Sequence, residues 1–227
     1  MTETIKRNID LISIAGIGLF LLILSIMGVY ESTSVDYVSA ATTSAVTVSA
    51  IVAQSESLTV TLVNNGVAVN AATTTVTTTA TSTPLGTLSV SANTIAAHTL
   101  TMTTNANGGY TVNTKYDHVL QSTASTTKNI DDWTGTNAAP TVISGAGAEL
   151  FGYTTEDPTL AGTGATSTRF TSGKWAKFTT GDLEVAYHSG PVNATTTKVG
   201  YQAGISVSTA AATDYGCTVT YTMTSAF

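Results

Sequence analysis

The last thirteen residues, YGCTVTYTMTSAF (Tyr215–Phe227), alternate between apolar and hydroxyl side chains along most of their length. Successive side chains of a β-strand point to opposite faces, so a period of two predicts a strand with one buried face. Antiparallel sheets with one solvated side are typical of this pattern. The single cysteine, Cys217, lies on the apolar phase and is predicted to be a small buried hydrophobe.

The segment VGYQAGISV (Val199–Val207) repeats the pattern. A short polar connection, residues 209–214, separates it from the final strand. The two strands are therefore predicted to be either a hairpin or partners across two packed sheets. Their apolar phases supply the predicted core, which is Val199, Tyr201, Ile205, Val219, Tyr221 and Met223.

Alternating segments along the earlier chain predict about ten strands in all. They include residues 46–52, 58–62, 88–92, 100–102, 110–116, 150–153, 175–178 and 183–187. Asn- and Gly-rich turns at residues 64–66 and 105–109 punctuate them. We therefore expect an all-β protein, an antiparallel β-sandwich of Ig-like or jelly-roll-like type, preceded by one N-terminal hydrophobic helix.

The composition supports this fold class. Threonine makes up about a fifth of the chain and only 10% of residues are charged. Residues 41–227 carry six basic and ten acidic side chains, and the basic ones form no cluster. Because nucleic-acid binding requires a basic surface to neutralise phosphates, no nucleic-acid partner is expected.

The N-terminal segment predicts export. Lys6 and Arg7 precede an uncharged, apolar run at residues 11–30. Such a run is long enough to cross a bilayer with the N-terminus in the cytoplasm. A secretory signal cleaved after Ala40 is the alternative, and both place the remaining chain in the extracellular space or at the cell surface.

The predicted domains are residues 1–40 as the export signal or anchor, 41–84 as N-terminal strands with a Thr-rich linker, and 85–227 as the β-sandwich body. Residues 73–83 are almost all threonine and are interpreted as an exposed strand, a linker or an O-glycosylated stretch. The strands of residues 44–63 either belong to the same body or are donated to the sheet edge of a neighbouring copy.

Three motifs carry a resemblance. They are the Asn107–Tyr110 turn, the segment Gly147–Gly152 and the ending Tyr215–Thr222. These resemble Thr/Ala-rich exported bacterial surface proteins with a β-sandwich body, and the ending is weakly similar to the wall-binding proteins of the WxL type. The Trp-x-Leu signature itself is absent. The resemblance implies a role in the cell envelope and carries over no catalytic residue.

The candidate reactive groups are few. His98 shares the phase of Leu100 and is interpreted as a core-edge residue, whereas His188 is interpreted as a loop residue and His118 belongs to no motif. Since no catalytic motif is present, the chain is not expected to be an enzyme. The carboxylates of Asp131, Asp132, Glu156 and Asp157 are weak candidates for a calcium site, against the alternative of solvated loop acids.

Two tryptophans and one sequon complete the candidates. Trp133, inside the long polar loop of residues 122–147, is predicted to be exposed and is the recognition candidate, whereas Trp175 is predicted to be core. Asn193 begins an N-glycosylation sequon.

These observations favour a non-catalytic structural protein of the cell surface, self-assembling or bound to other envelope components. An adhesin or carbohydrate-binding module that uses loop aromatics is the alternative, and a secreted hydrolase is the third class considered.

Overall fold

The computed structural model of the chain describes residues 47–160 and 167–227. The export segment lies outside the described residues, so its assignment stays a prediction. Regular structure in the described ranges is entirely β. These ranges contain no helix with the length and hydrophobicity needed to span a bilayer.

Fourteen strands make up the described structure. The first seven are β1 (Glu56–Leu62), β2 (Ala68–Val69), β3 (Ala72–Thr73), β4 (Thr94–Thr104), β5 (Tyr110–Tyr116), β6 (Leu120–Ser122) and β7 (Ser125–Ile130). The others are β8 (Thr141–Val142), β9 (Leu150–Thr155), β10 (Lys174–Trp175), β11 (Leu183–His188), β12 (Val192–Gly204), β13 (Tyr215–Gly216) and β14 (Val219–Ser225).

Two sheets carry most of these strands. The large sheet has the order β1-β4-β12-β9 and the small sheet has the order β11-β5-β14. Three further pairings, β10-β8, β13-β6-β7 and β2-β3, extend the periphery. All strand pairs in the described ranges are antiparallel, so the prediction of an antiparallel all-β chain is confirmed there.

One hydrophobic core joins the two sheets. At its centre the Phe178 ring packs against four other rings, with centroid distances between 4.7 and 6.1 Å. These rings belong to Tyr116 in β5, Phe151 and Tyr153 in β9, and Tyr201 in β12. Because aromatic side chains bury large apolar areas, this cluster accounts for much of the attraction between the sheets.

The two C-terminal strands, predicted to be either a hairpin or partners across two packed sheets, lie in different sheets. β12 pairs with β4 and β9, whereas β14 pairs only with β5. They therefore face each other across the core rather than forming a hairpin. Of the predicted core residues, Val199 and Tyr201 are buried, while Ile205, Val219, Tyr221 and Met223 are half-buried and pack against the core.

Two predicted strands do not form. Described residues 47–52 have no strand structure, and residues 88–92 make a tight turn closed by the Ser89–Ala92 bridge. Beyond Gly204 the chain also leaves β12, so Val207 is 93% exposed instead of facing inward. In each of these segments apolar and polar side chains alternate as they do in a strand. None of the described strands pairs with the segment, however, so no β-ladder forms there.

The Thr-rich residues 73–83 are attached to the large sheet instead of linking two bodies. The Thr78 hydroxyl accepts a hydrogen bond from Val63 N at 2.9 Å and donates one to Ala97 O at 2.8 Å. Thr74 and Thr78 are each only 1% exposed. These threonines use their hydroxyls to satisfy backbone groups beyond the end of β1, which a flexible linker would not do.

Residues 51–84, the larger part of the predicted N-terminal segment 41–84, lie in the same compact unit as residues 85–227. That unit is Ile51–Phe227. The long polar loop of residues 122–147 is also more ordered than predicted, because it contains β7 and β8.

Candidate functional site

The two sheets are open on one side, where β1 ends the large sheet and β14 ends the small one. We call the apolar row along this side the open seam; it consists of Leu58, Val60, Val219, Tyr221 and Met223. All five side chains pack against the core yet remain half-buried. A shallow groove runs between Glu56–Leu58 and Tyr221–Met223.

The seam is half-buried because neither sheet continues past it. Alternation places these side chains on the inner face of their strands, as predicted for Val219, Tyr221 and Met223. An inner-face side chain at a sheet edge is covered on one side only, since the next strand is missing. No strand of the described chain pairs with the outer edge of β1 or β14.

The opposite sheet edges, in contrast, are covered. Tyr153 of β9 exchanges two backbone hydrogen bonds with Ala176, at 2.7 and 2.8 Å. Along β11, Tyr187 N donates to the Asp157 carboxylate at 2.9 Å and Thr155 donates its hydroxyl to Val185 O at 2.6 Å. The chain therefore protects one side of the two-sheet body and leaves the seam side open.

A segment with exposed apolar side chains precedes β1. Val48, Ile51 and Val52 are 88%, 99% and 82% exposed. We call residues 47–54 the arm. Its C-terminal end is held by Asn105, whose amide donates to Ala53 O at 2.7 Å and accepts from Ser55 N at 2.9 Å.

The proposed calcium ligands are used inside the protein. Asp157 is 8% exposed and accepts hydrogen bonds from Thr159 N at 2.7 Å and from Tyr187 N. Glu156 forms an ion pair with Lys198 at 2.7 Å. Both carboxylates thus stabilise the loop that covers β11.

The second acidic pair is divided between two environments. Asp132 accepts a hydrogen bond from the Tyr116 hydroxyl at 2.6 Å, and burial raises the pKa of its carboxyl. Asp131 is exposed and accepts from Asn129 at 3.2 Å. Across residues 47–160 and 167–227, no three His, Cys, Asp or Glu side chains converge to hold a metal ion.

Trp133, the recognition candidate, is half-buried rather than exposed. Its indole N–H donates to the Thr141 hydroxyl at 2.9 Å and its backbone N–H donates to Phe151 O. Trp175 is 3% exposed and lies in the core. Sequence reasoning missed the first arrangement because Thr141 and Phe151 approach Trp133 only through the fold.

The histidines also have structural partners. His98 is 5% exposed; its Nε2 lies 2.7 Å from Thr79 O and its Nδ1 lies 3.0 Å from the Tyr201 hydroxyl. Burial lowers the pKa of His98. His188, at the end of β11, stacks on Tyr110, and His118 contacts Val119 O through Nδ1.

Cys217 is half-buried against the core, and burial raises the pKa of its thiol to about 12. The thiol is therefore unreactive at neutral pH. Asn193, the sequon residue, is exposed at the start of β12, beside a bulge where Ala194 has a φ of 56°.

Sequence reasoning missed a buried ion pair. Arg169 and Glu184 are 4% and 5% exposed and lie 2.9 Å apart, Nη2 to Oε2. The same Nη2 donates to Asn137 Oδ1 at 2.9 Å, and Asn137 Nδ2 donates to the Tyr153 hydroxyl. The sequence offered one signal for a special role of Arg169, because it is the single arginine after residue 7 and is followed directly by Phe170.

Comparisons of the chain with protein-family models, curated protein sequences and solved structures find no match.

Proposed function

We propose that the chain is a non-catalytic structural protein of the cell surface, whose two sheets form a β-sandwich that self-associates through the open seam. The observation that carries this proposal is the row of half-buried apolar side chains on β1 and β14. Export by residues 1–40 and the resemblance to bacterial surface proteins supply the location.

The sequence of the two open edges supports association. Natural proteins protect exposed edge strands with charged residues, proline, bulges or covering loops. β14 contains no charged residue and no proline, and β1 carries a single charge, at Glu56. Neither strand has a bulge in its pairing. These edges lack the devices that prevent intermolecular strand pairing.

The internal use of polar side chains supports a structural role. His98, Asp157, Glu184 and Arg169 are tied to backbone or to one another inside the body. Such contacts stiffen a scaffold. The alternative of a carbohydrate-binding module gains no support from Trp133, because its indole N–H is already bound to Thr141.

The test is the oligomeric state of a chain that starts at Ala41, which contains the whole compact unit Ile51–Phe227. Sedimentation velocity is expected to show concentration-dependent association. Thr222→Lys adds a charged side chain to the β14 edge strand and is expected to weaken it. The matched control is Thr196→Lys, at an exposed position where β12 pairs with β4, away from the seam. A chain that stays monomeric at every concentration contradicts the proposal.

A further inference from the structure

The arm has the residue composition of a β-strand, but none of the described strands pairs with it. It reads TVSAIVAQ (residues 47–54), with Val48, Ala50 and Val52 on one phase and Thr47, Ser49 and Ile51 on the other. Its valines and isoleucine are more than four-fifths exposed. Valine and isoleucine favour strands because they pack well on a pleated surface, so solvent is an unfavourable environment for them.

The end of the arm is held so that it continues β1. Glu56, the first residue of β1, pairs with Thr104, and Ser55 and Asn105 extend this register by one residue. Three hydrogen bonds involving Asn105 fix the chain at Ala53–Ser55. Its side-chain amide donates to Ala53 O and accepts from Ser55 N, and its backbone N–H donates to Ser55 O. Any rearrangement that moves Ala53–Ser55 away from Asn105, in order to reach the same copy's β14, would break these bonds.

The small sheet lacks one strand relative to the large one. It has three strands against four, and it stops at β14. A fourth strand beside β14 would cover the half-buried side chains of Val219, Tyr221 and Met223. It would also satisfy the outer backbone groups of β14, which gain no partner from the described strands.

We propose that the arm of one copy adds as the fourth strand of the small sheet of a second copy, with Val48 and Val52 covering the open seam. This inference rests on the proposed self-association and names the surfaces that carry it. The lengths are comparable, because the six residues 47–52 span about 20 Å when extended and the seven residues of β14 about 23 Å. Main-chain hydrogen bonds supply affinity and the alternate valines supply the fit.

The first experiment charges the arm. In the chain that starts at Ala41, Val48→Asp with Val52→Asp places two carboxylates on the phase that faces the seam. Association measured by sedimentation is expected to weaken at least ten-fold. The matched control, Thr47→Asp with Ser49→Asp, adds the same charge on the outer phase and is expected to weaken it less than three-fold. All four positions are exposed, so the fold itself is not at risk.

The second experiment locates the contact. In a Cys217→Ser background, one population carries a cysteine in the arm, scanned over positions 47–52, and a second carries Thr222→Cys. A disulfide between the populations can form only between copies, since each copy holds one thiol. Crosslinking is expected for one or two arm positions, because neighbouring strands bring side chains within disulfide reach. Thr196→Cys in place of Thr222→Cys is the control.

The outcomes separate this inference from the proposed function. Association that survives the Val48/Val52 charges, or crosslinks no stronger than those of the Thr196→Cys control, overturns arm donation while self-association stands. A chain that is monomeric before any substitution overturns both.

Discussion

The hydroxyl oxygen of Tyr201, in β12 of the large sheet, lies 2.5 Å from that of Tyr221, in β14 of the small sheet. The Tyr201 hydroxyl also contacts His98 Nδ1, and His98 Nε2 contacts Thr79 O. A chain of polar groups therefore runs from the Thr-rich segment through the large sheet to the edge strand of the small one. Burial raises the pKa of both tyrosines, so the hydroxyls stay protonated as neutral donors and acceptors.

Tyr201→Phe is expected to lower the free energy of unfolding by about 1–3 kcal/mol, because it leaves His98 and Tyr221 without their shared partner. Tyr221 is half-buried and its hydroxyl is the last of these linked polar groups. Tyr221→Phe is therefore expected to cost about 1 kcal/mol or less. Urea unfolding of both variants measures the difference. If the two substitutions lower the free energy of unfolding equally, the Tyr201 hydroxyl contributes no more than the Tyr221 hydroxyl.

Arg169→Met is expected to cost about 3–5 kcal/mol, because it breaks the buried ion pair between Arg169 and Glu184. Adding Glu184→Gln is expected to recover part of this loss. The control is Lys115→Met, which breaks the exposed Lys115–Asp182 pair, 3.4 Å apart, and is expected to cost less than about 1 kcal/mol. A double-mutant cycle followed by denaturant unfolding provides the measurement.

Val199→Ala is expected to cost about 2–4 kcal/mol, since the side chain is fully buried. Val219→Ala is expected to cost clearly less in the monomer, because Val219 is half-buried in the open seam. Thr220→Ala, on the outer face of β14, is expected to change stability by less than about 1 kcal/mol. If Val219→Ala and Val199→Ala lower the free energy of unfolding of the monomer by the same amount, Val219 is as buried as Val199 and the seam is not open.

Stability is expected to fall on acidification through the titration of His98. Its folded pKa lies below the ordinary value of 6.5, so the unfolded chain binds the proton more readily. The stability that neutral His98 contributes to the folded state is therefore fully present above pH 6.5, and it is lost as the pH falls towards the folded pKa. His98→Gln is expected to flatten the dependence of the urea midpoint between about pH 7.5 and pH 5.5. An unchanged slope in that variant would assign the dependence to other groups.

Gly109→Ala is expected to destabilise far more than Gly66→Ala, although both glycines have positive φ, 74° and 83°. A Cβ at position 109 would lie 1.8 Å from His188 O, whereas none of the described atoms lies within 4 Å at position 66. The expected difference is at least about 2 kcal/mol. Thermal unfolding by circular dichroism measures it, and similar melting temperatures would contradict the close approach.

Period-two alternation correctly predicted the strands whose partners lie in the same chain. Val199 and Tyr201 in β12 and Tyr221 in β14 face inward as expected. Alternation is a local property that follows from backbone geometry, so the sequence reveals it directly. The same pattern at Val48–Val52 did not produce a strand, because a strand also needs a neighbour and the pattern does not say where that neighbour is.

The candidate site was only partly predictable for the same reason. The arm and the seam residues were each visible as apolar phases, and donation of the strands of residues 44–63 was one of two hypotheses; of these, β1 pairs with β4 in the same copy. That Val219 and Met223 are half-buried depends on β14 ending its sheet. Strand order is a long-range property, which periodicity within a segment does not encode.

The sequence by itself determined that the described part of this chain is antiparallel β and that threonine occupies the outward positions of β14. Only the tertiary structure decided that β12 and β14 belong to different sheets, that Arg169 meets Glu184, and that one side of the body stays open. The physical reason is that side-chain alternation is set residue by residue by the backbone, whereas pairing, burial of charge and exposed edges depend on which distant segments pack together.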